Sequence, residues 1–285
     1  MIETTDAPPS LTPAQYPIGV FDSGMGGLSV MQDIRALLPN ESLIYAADAG
    51  SVPYGGRSAS LIRDRSRALV EFLAATPVKA VVVACNTATA AAVPDLRRHW
   101  PSLPIIAMEP AVKPAVAATR SGVVGVLATE GTLGSDRFSG LVSQYAGSVR
   151  VLTRPCPGLV ERVEQGDLDS PALDRLLTRY LQPLLEAGAD TIILGCTHYP
   201  FLRERILLLA GRPLHLIDTG AAVARELRRR LGASALLSPA SAPAATAFWT
   251  TGDVAALERF LARHWQETPV RVRAIGNIEK TTQET

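Results

Sequence analysis

Apolar residues in this chain fall in short uninterrupted runs, and each run stops at small or polar residues before a stretch of helical spacing begins. Apolar character on consecutive positions, rather than on alternate ones, marks a parallel strand covered on both faces. The first unit, 17-PIGVFDSGMGGLSVMQDIRALLP-39, reads as a strand, a glycine-rich turn and an amphipathic helix ended by Pro39. Next, 42-SLIYAADAGSVPYGGRS-58 is a strand running into a Gly/Pro/Tyr loop, and 59-ASLIRDRSRALVEFLAAT-76 is a helix with an arginine-rich exposed face. The run 81-VVVACNTATA-90 is a buried strand ending at Cys85. An alanine-rich helix follows over 88–100, then a strand and a proline-interrupted helix over 103–119. Such β/α alternation predicts a parallel sheet with helices on both faces.

A second cycle starts at 122-GVVGVLATEGTLGSDRFSGLV-142 and continues through a strand at 149–155 and a helix at 171–189. It reaches 191-TIILGCTHYP-200, a strand that ends at Cys196. Helix 201–210, strand 214–220 and helix 221–231 complete it. Low complexity over 233–246 predicts a mobile loop, after which 247–265 reads as a strand and a helix returning to the first domain. With Asp22-Ser23 aligned on Ala128-Thr129, Ser23 precedes Cys85 by 62 positions and Thr129 precedes Cys196 by 67. The near-match predicts two similar α/β domains, each presenting one cysteine from an equivalent strand end. The expected boundaries are a disordered leader at 1–16, a first domain at 17–112 plus about 220–275, a second domain at 113–219 and a tail at 276–285.

Composition narrows the classes. Lys+Arg 28 against Asp+Glu 27 leaves no basic surplus for a nucleic acid partner. No stretch of about 18 uninterrupted apolar residues occurs, so no membrane span is predicted. The opening residues lack the apolar core of a secretion signal, so the protein is expected in the cytoplasm. Three widely spaced cysteines, Cys85, Cys156 and Cys196, form neither a disulfide framework nor a C-x-x-C pair, which fits free thiols in a reducing compartment.

Strand ends in α/β sheets are where ligands bind, and a thiolate is a competent base when its environment suits. Two cysteines on two domains suggest proton removal from one face of a carbon and delivery to the other. Asp22 is placed to help Cys85 or to meet a substrate ammonium, and His198 to tune Cys196. Ser23, Asn86, Thr87 and Thr197 add donors, and N–H groups of the turn Gly24-Met25-Gly26-Gly27 are expected to hold carboxylates of a small anionic ligand. The turn fits neither nucleotide-binding glycine pattern. Cys156 reads as a buried structural thiol, and no metal ligand spacing accompanies Cys196 and His198. Two rival readings are a non-catalytic amino-acid-binding module with buried cysteines and a redox protein in which they pair.

FDSGMGG at 21–27, PYGGRS at 53–58, ACNTAT at 84–89 and GCTHYP at 195–200 resemble, in order, the signature motifs of bacterial glutamate racemases. The likeness runs from about residue 17 to 275, with Met25 where Val or Ile is common. Related aspartate racemases share the two-cysteine plan but carry an acidic residue at the position of His198. The resemblance implies a racemase using neither cofactor nor metal, with two α/β domains closing over glutamate in the cleft between them, supplying D-glutamate for peptidoglycan. It implies that Cys85 takes the α-proton from D-glutamate and Cys196 from L-glutamate, with Asp22, His198 and Glu164 assisting. Glu161 is a rival for the last role. Substrate contacts are implied for Asp22, Ser23, Tyr54, Gly55, Asn86, Thr87, Thr197 and His198. A homodimer is implied as well. A racemase for aspartate or another small acidic amino acid is the neighbouring alternative.

Overall fold

A computed structural model describes residues 11–267 and 270–276. In chain order the regular elements begin with β1 (Ile18–Asp22), α1 (Leu28–Leu37), β2 (Leu43–Ala47), α2 (Ala59–Ala74), β3 (Ala80–Val83), α3 (Asn86–His99), β4 (Ile105–Ala107) and α4 (Val112–Ala118). The chain continues with β5 (Val123–Ala128), α5 (Glu130–Leu133), α6 (Asp136–Tyr145), β6 (Arg150–Pro155), α7 (Leu159–Glu164), α8 (Pro171–Glu186), β7 (Thr191–Gly195), α9 (Arg203–Ala210) and β8 (His215–Ile217). It closes with α10 (Gly220–Ala233), β9 (Thr246–Thr250), α11 (Val254–His264) and β10 (Val272–Ala274).

These strands make two parallel sheets, ordered β10-β9-β2-β1-β3-β4 and β6-β5-β7-β8, so the protein is a two-domain α/β fold. The central strands β1, β3, β5 and β7 are buried at every position, as their unbroken apolar runs require. In both sheets the cysteine-bearing strand lies beside the domain's opening strand: β3 pairs with β1 and β7 with β5. Cys85 and Cys196 each stand one residue or two past the end of their strand. Strand β9 pairs with β2 and β10 with β9, which brings the last part of the described chain back onto the first sheet.

Local signals set the helix starts. Ser58, Ser135, Ser170 and Asp253 each turn a side-chain oxygen to a backbone N–H of the helix that follows, satisfying donors that would otherwise be orphaned. Where structure and pattern differ, long-range contact is the reason. Residues 1–10 of the expected leader and 277–285 of the tail lie outside the described residues. Pro13–Gln15 nevertheless form a 3-10 turn, and the Ala14 carbonyl accepts from Lys79 Nζ at 2.6 Å. Segment 233–246, expected to be mobile, is pinned at three points: Ser238 N to Glu41 Oε1 at 2.8 Å, Asn40 Nδ2 to Ala240 O at 2.8 Å, and Ala244 N to Pro39 O at 3.1 Å. Strand β10 has no apolar run to announce it and exists because β9 offers an edge.

Lys79 and Glu41 form an ion pair with both side chains almost wholly buried, at 1% and 2% exposure. Removing one partner strands the other charge in the interior, which costs about 3–5 kcal/mol. Lys79→Ala is expected to lower the urea midpoint accordingly, and Lys79→Met with Glu41→Leu to recover most of the loss. A double variant as unstable as the single one would contradict this account.

Cys156 is buried against the second domain's core, and that burial pushes its thiol from 9.0 up to about 12. Below pH 9 both folded and unfolded chains hold the proton. As pH rises from 9 towards 12 only the unfolded chain releases it, so stability falls by up to about 1.4 kcal/mol per pH unit. Denaturant titrations at pH 8, 9.5 and 10.5 should show a shallower alkaline loss in Cys156→Ala than in the parent.

Candidate active site

The first half of the site is built where β1 ends. Asp22 is fully buried, and its Oδ2 accepts from Gly27 N at 2.6 Å and from Thr197 Oγ1 at 3.3 Å. Ser23 Oγ lies 3.4 Å from Asp22 Oδ1 and accepts from the Cys85 thiol at 3.7 Å, a hydroxyl link between carboxylate and sulfur. Cys85 caps α3, with Ala88 N donating to its sulfur at 3.5 Å. That helix N-terminus favours a thiolate. Burial opposes it more strongly, and together with the Asp22 charge it pushes the Cys85 thiol well above its ordinary range. Burial likewise raises Asp22, partly offset by His198. The site is a desolvated one in which negative charge is costly unless a cation answers it.

The second half lies at the end of β7. His198 is buried, with Nδ1 3.6 Å from Cys196 Sγ and Nε2 2.6 Å from Glu164 Oε1. A carboxylate accepts only, so Nε2 carries a hydrogen in this pair. Burial pulls the imidazole down, but its bonds to Cys196 and Glu164 outweigh that and hold it well above the ordinary histidine range. His198 therefore bridges a carboxylate and a sulfur, with one ring nitrogen turned to each.

Both halves share one small cavity. Cys85 and Cys196 line it together with Ser23, Tyr54, Gly55, Asn86, Thr87, Thr197 and His198, and also Thr129 and Val160. Its free space is about 10 Å³, room for one water molecule and not for an amino acid. The domains are closed in this conformation. Thr87 Oγ1 meets Thr129 Oγ1 at 2.8 Å across the cleft, and Ser29 Oγ donates to Thr197 O at 2.9 Å. Asn86 carries the clearest mark of ligand contact: both of its buried carboxamide atoms lack a hydrogen-bond partner, which a buried amide tolerates poorly unless a ligand supplies one.

Several sequence expectations change in detail. N–H groups of the glycine-rich turn were expected to hold a ligand's carboxylate, but Gly27 N is bonded to Asp22 and Met25 N to Glu164 Oε1 at 2.6 Å. They serve the protein's own carboxylates because the turn closes back on β1 and faces the second domain. Tyr54 borders the cavity, yet its hydroxyl donates to the buried Asp48 at 2.6 Å and is thereby committed elsewhere. Asp48 also takes Arg65 Nε at 2.9 Å and Thr251 Oγ1 at 2.7 Å, which anchors the Pro53–Gly56 turn. Of the two rival glutamates, Glu164 reaches His198, while Glu161 lines a neighbouring recess with Pro53, Gly55 and Cys156. Cys156 is not among the residues lining the cavity. Thr129, whose hydroxyl donates to Thr132 at 3.0 Å, lines the cavity without being among the expected site residues. Its signal was available, since Thr129 occupies the place in the second cycle that Ser23 holds in the first.

Residues 18–227 match the family described as Asp/Glu/Hydantoin racemase. A glutamate racemase of Pseudomonas putida (strain F1) is 57% identical over 252 residues, covering 88% of this chain and 95% of that one. Among solved structures, glutamate racemase isoform RacE1 from Bacillus anthracis aligns with a TM-score of 0.84 at 34% identity, over 94% of this chain and 100% of that one. Escherichia coli glutamate racemase, in complex with L-glutamate and the activator UDP-MurNAc-ala, aligns with a TM-score of 0.80 at 33% identity, over 91% and 98%. With two thiols from equivalent strand ends lining one cavity and relatives of this identity along nearly its whole length, the chain belongs to the Asp/Glu/hydantoin racemase family.

Proposed function

We propose that this protein interconverts L- and D-glutamate by a two-thiol proton transfer that needs neither cofactor nor metal, and that it works in the cytoplasm to supply D-glutamate for peptidoglycan. The observation that carries the reading is the convergence of Cys85 and Cys196, from two different sheets, on one cavity. Residues 17–112 with about 220–275 make the domain that presents Cys85, and 113–219 the domain that presents Cys196. Support for glutamate as substrate comes from the relatives' activity and from His198 on the Cys196 side. Among the described residues no helix is long and apolar enough to cross a membrane.

In the D-to-L direction the Cys85 thiolate takes the α-proton, the C–H bond electrons remain on the substrate, and the Cys196 thiol delivers its proton to the opposite face. The products are an inverted centre, a Cys85 thiol and a Cys196 thiolate. The reverse direction exchanges the two roles. An amino acid α-proton is weakly acidic, so donors must stabilise the charge that develops on the α-carboxylate. Asn86, with unpartnered amide atoms at the cavity wall, and the hydroxyls of Ser23, Thr87 and Thr197 are the groups at hand. The substrate ammonium supplies the cation that the Asp22 and Cys85 side lacks. Closure removes water and makes each of these interactions stronger.

Purified protein in heavy water should convert L-glutamate to D-glutamate with deuterium at Cα. Cys196→Ala should abolish racemisation yet still exchange the α-hydrogen of D-glutamate with retention, and Cys85→Ala should do the same for L-glutamate. Absence of both exchange and inversion in the parent would sink the proposal. Turnover of L-aspartate exceeding that of L-glutamate would move the substrate assignment.

A Cβ on Gly26 would lie 2.3 Å from His198 Nδ1 and 2.6 Å from Thr197 Oγ1. Gly26→Ala is therefore expected to displace the imidazole or hold the domains apart, with kcat/KM reduced by about 100-fold, the scale of a 1 Å misplacement. Steady-state kinetics beside a thermal melt checks this, the melt changing little.

A further inference from the structure

The Gly24–Met25 peptide unit is bonded at both ends, and to different domains. Its carbonyl accepts from the Tyr45 hydroxyl at 2.6 Å, and its N–H donates to Glu164 Oε1 at 2.6 Å. The same Glu164 oxygen takes His198 Nε2 at 2.6 Å, and His198 Nδ1 faces Cys196. An unbroken chain of hydrogen bonds thus runs from Tyr45 in β2 of the first domain, through one peptide plane, to the thiol of the second domain. Gly24 leaves no slack in that contact, since a Cβ there would stand 2.1 Å from Glu164 Oε1.

Tyr45 is suited to the role at its head. It is fully buried in β2, its ring packs edge-to-face on Phe248 at 6.3 Å, and a phenylalanine would satisfy that packing. The hydroxyl is the part that packing leaves unexplained. Burial, reinforced by the charges of Asp22, Glu164 and Cys85, pushes the phenol well above its ordinary range, so it remains a donor at any working pH. A donor on the carbonyl of a peptide polarises that peptide's N–H and strengthens its bond to an anion.

We propose that Tyr45 is a positioning residue for racemisation, acting through the Gly24–Met25 peptide to hold Glu164, and through Glu164 the imidazole beside Cys196, in the closed geometry. The inference rests on the two-thiol reading above. It also gives the glycine-rich turn a second role. With Gly27 N on Asp22 and Met25 N on Glu164, one turn registers the helpers of both thiols against each other.

A double-mutant cycle tests it. Tyr45→Phe is expected to lower kcat/KM for glutamate racemisation by about tenfold in the parent and by less than about twofold in a Glu164→Ala background, because the two act in series. Equal losses in both backgrounds would show a merely structural role and overturn the proposal. A second readout needs no turnover: the ¹⁵N resonance of His198 Nε2 in unliganded protein should move in Tyr45→Phe, and an unmoved signal in a folded variant overturns it too. A parent that does not racemise glutamate refutes the two-thiol reading instead, and the His198 resonance then still decides the role of Tyr45.

Discussion

The bond from the Met25 amide to Glu164 is the contact on which the closed site depends. It is a charge-assisted bond across the domain boundary, at a place where flanking glycines let backbone approach side chain without a Cβ between them. Glu164 would otherwise be a nearly buried carboxylate with only His198 to answer it. The imidazole in turn is held by Glu164 on one nitrogen and faces Cys196 with the other. Closure of the cleft and placement of the imidazole beside the second thiol are therefore one event rather than two.

Desolvation sets the chemistry of both halves, with opposite outcomes. On the Cys85 side, burial and the neighbouring Asp22 raise the proton affinity of the sulfur, and His198 only partly answers the Asp22 charge. A thiolate formed there would be a strong base, as the proposed abstraction of a weakly acidic α-hydrogen demands. On the Cys196 side the same burial is outweighed by the bonds His198 makes to Cys196 and Glu164, which push the imidazole above its ordinary range. The asymmetry suits a substrate that brings one ammonium and two carboxylates. In the proposed binding mode its cation complements the half with surplus negative charge, and an anionic group meets Asn86, whose amide atoms remain unpartnered.

Around this centre the first domain holds its loops with buried polar networks. Asp48, at the end of β2, gathers Tyr54, Arg65 and Thr251 and so fixes the turn whose Gly55 meets Thr129 of the second domain. Such a carboxylate needs several donors to be tolerated in the interior. The return of strand β9 onto β2 supplies one of them, because Thr251 immediately follows that strand. The end of the chain thus supports the wall of the cavity although it contributes none of the residues lining it.

Local pattern in the sequence established the alternation of strands and helices, the two cycles, and the positions of both cysteines just beyond strand ends. Apolar runs, turn residues and helix caps act over a few positions, so their periods can be read directly. The places of Ser23, Asn86, Thr197 and His198 around the cavity were legible for the same reason, since each lies near a strand end, whereas Asp22 is buried behind it. The choice between Glu164 and Glu161, one turn apart on α7, was left to tertiary contacts, because it turns on which of them faces a histidine 34 residues away. Those contacts also turned the hydroxyl of Tyr54 toward Asp48, gave the N–H groups of the glycine-rich turn to the protein's own carboxylates, and brought Tyr45 into the chain that ends at Cys196. Each of these depends on the distance between groups far apart in the chain, and no local pattern records which donor will reach a buried acceptor first.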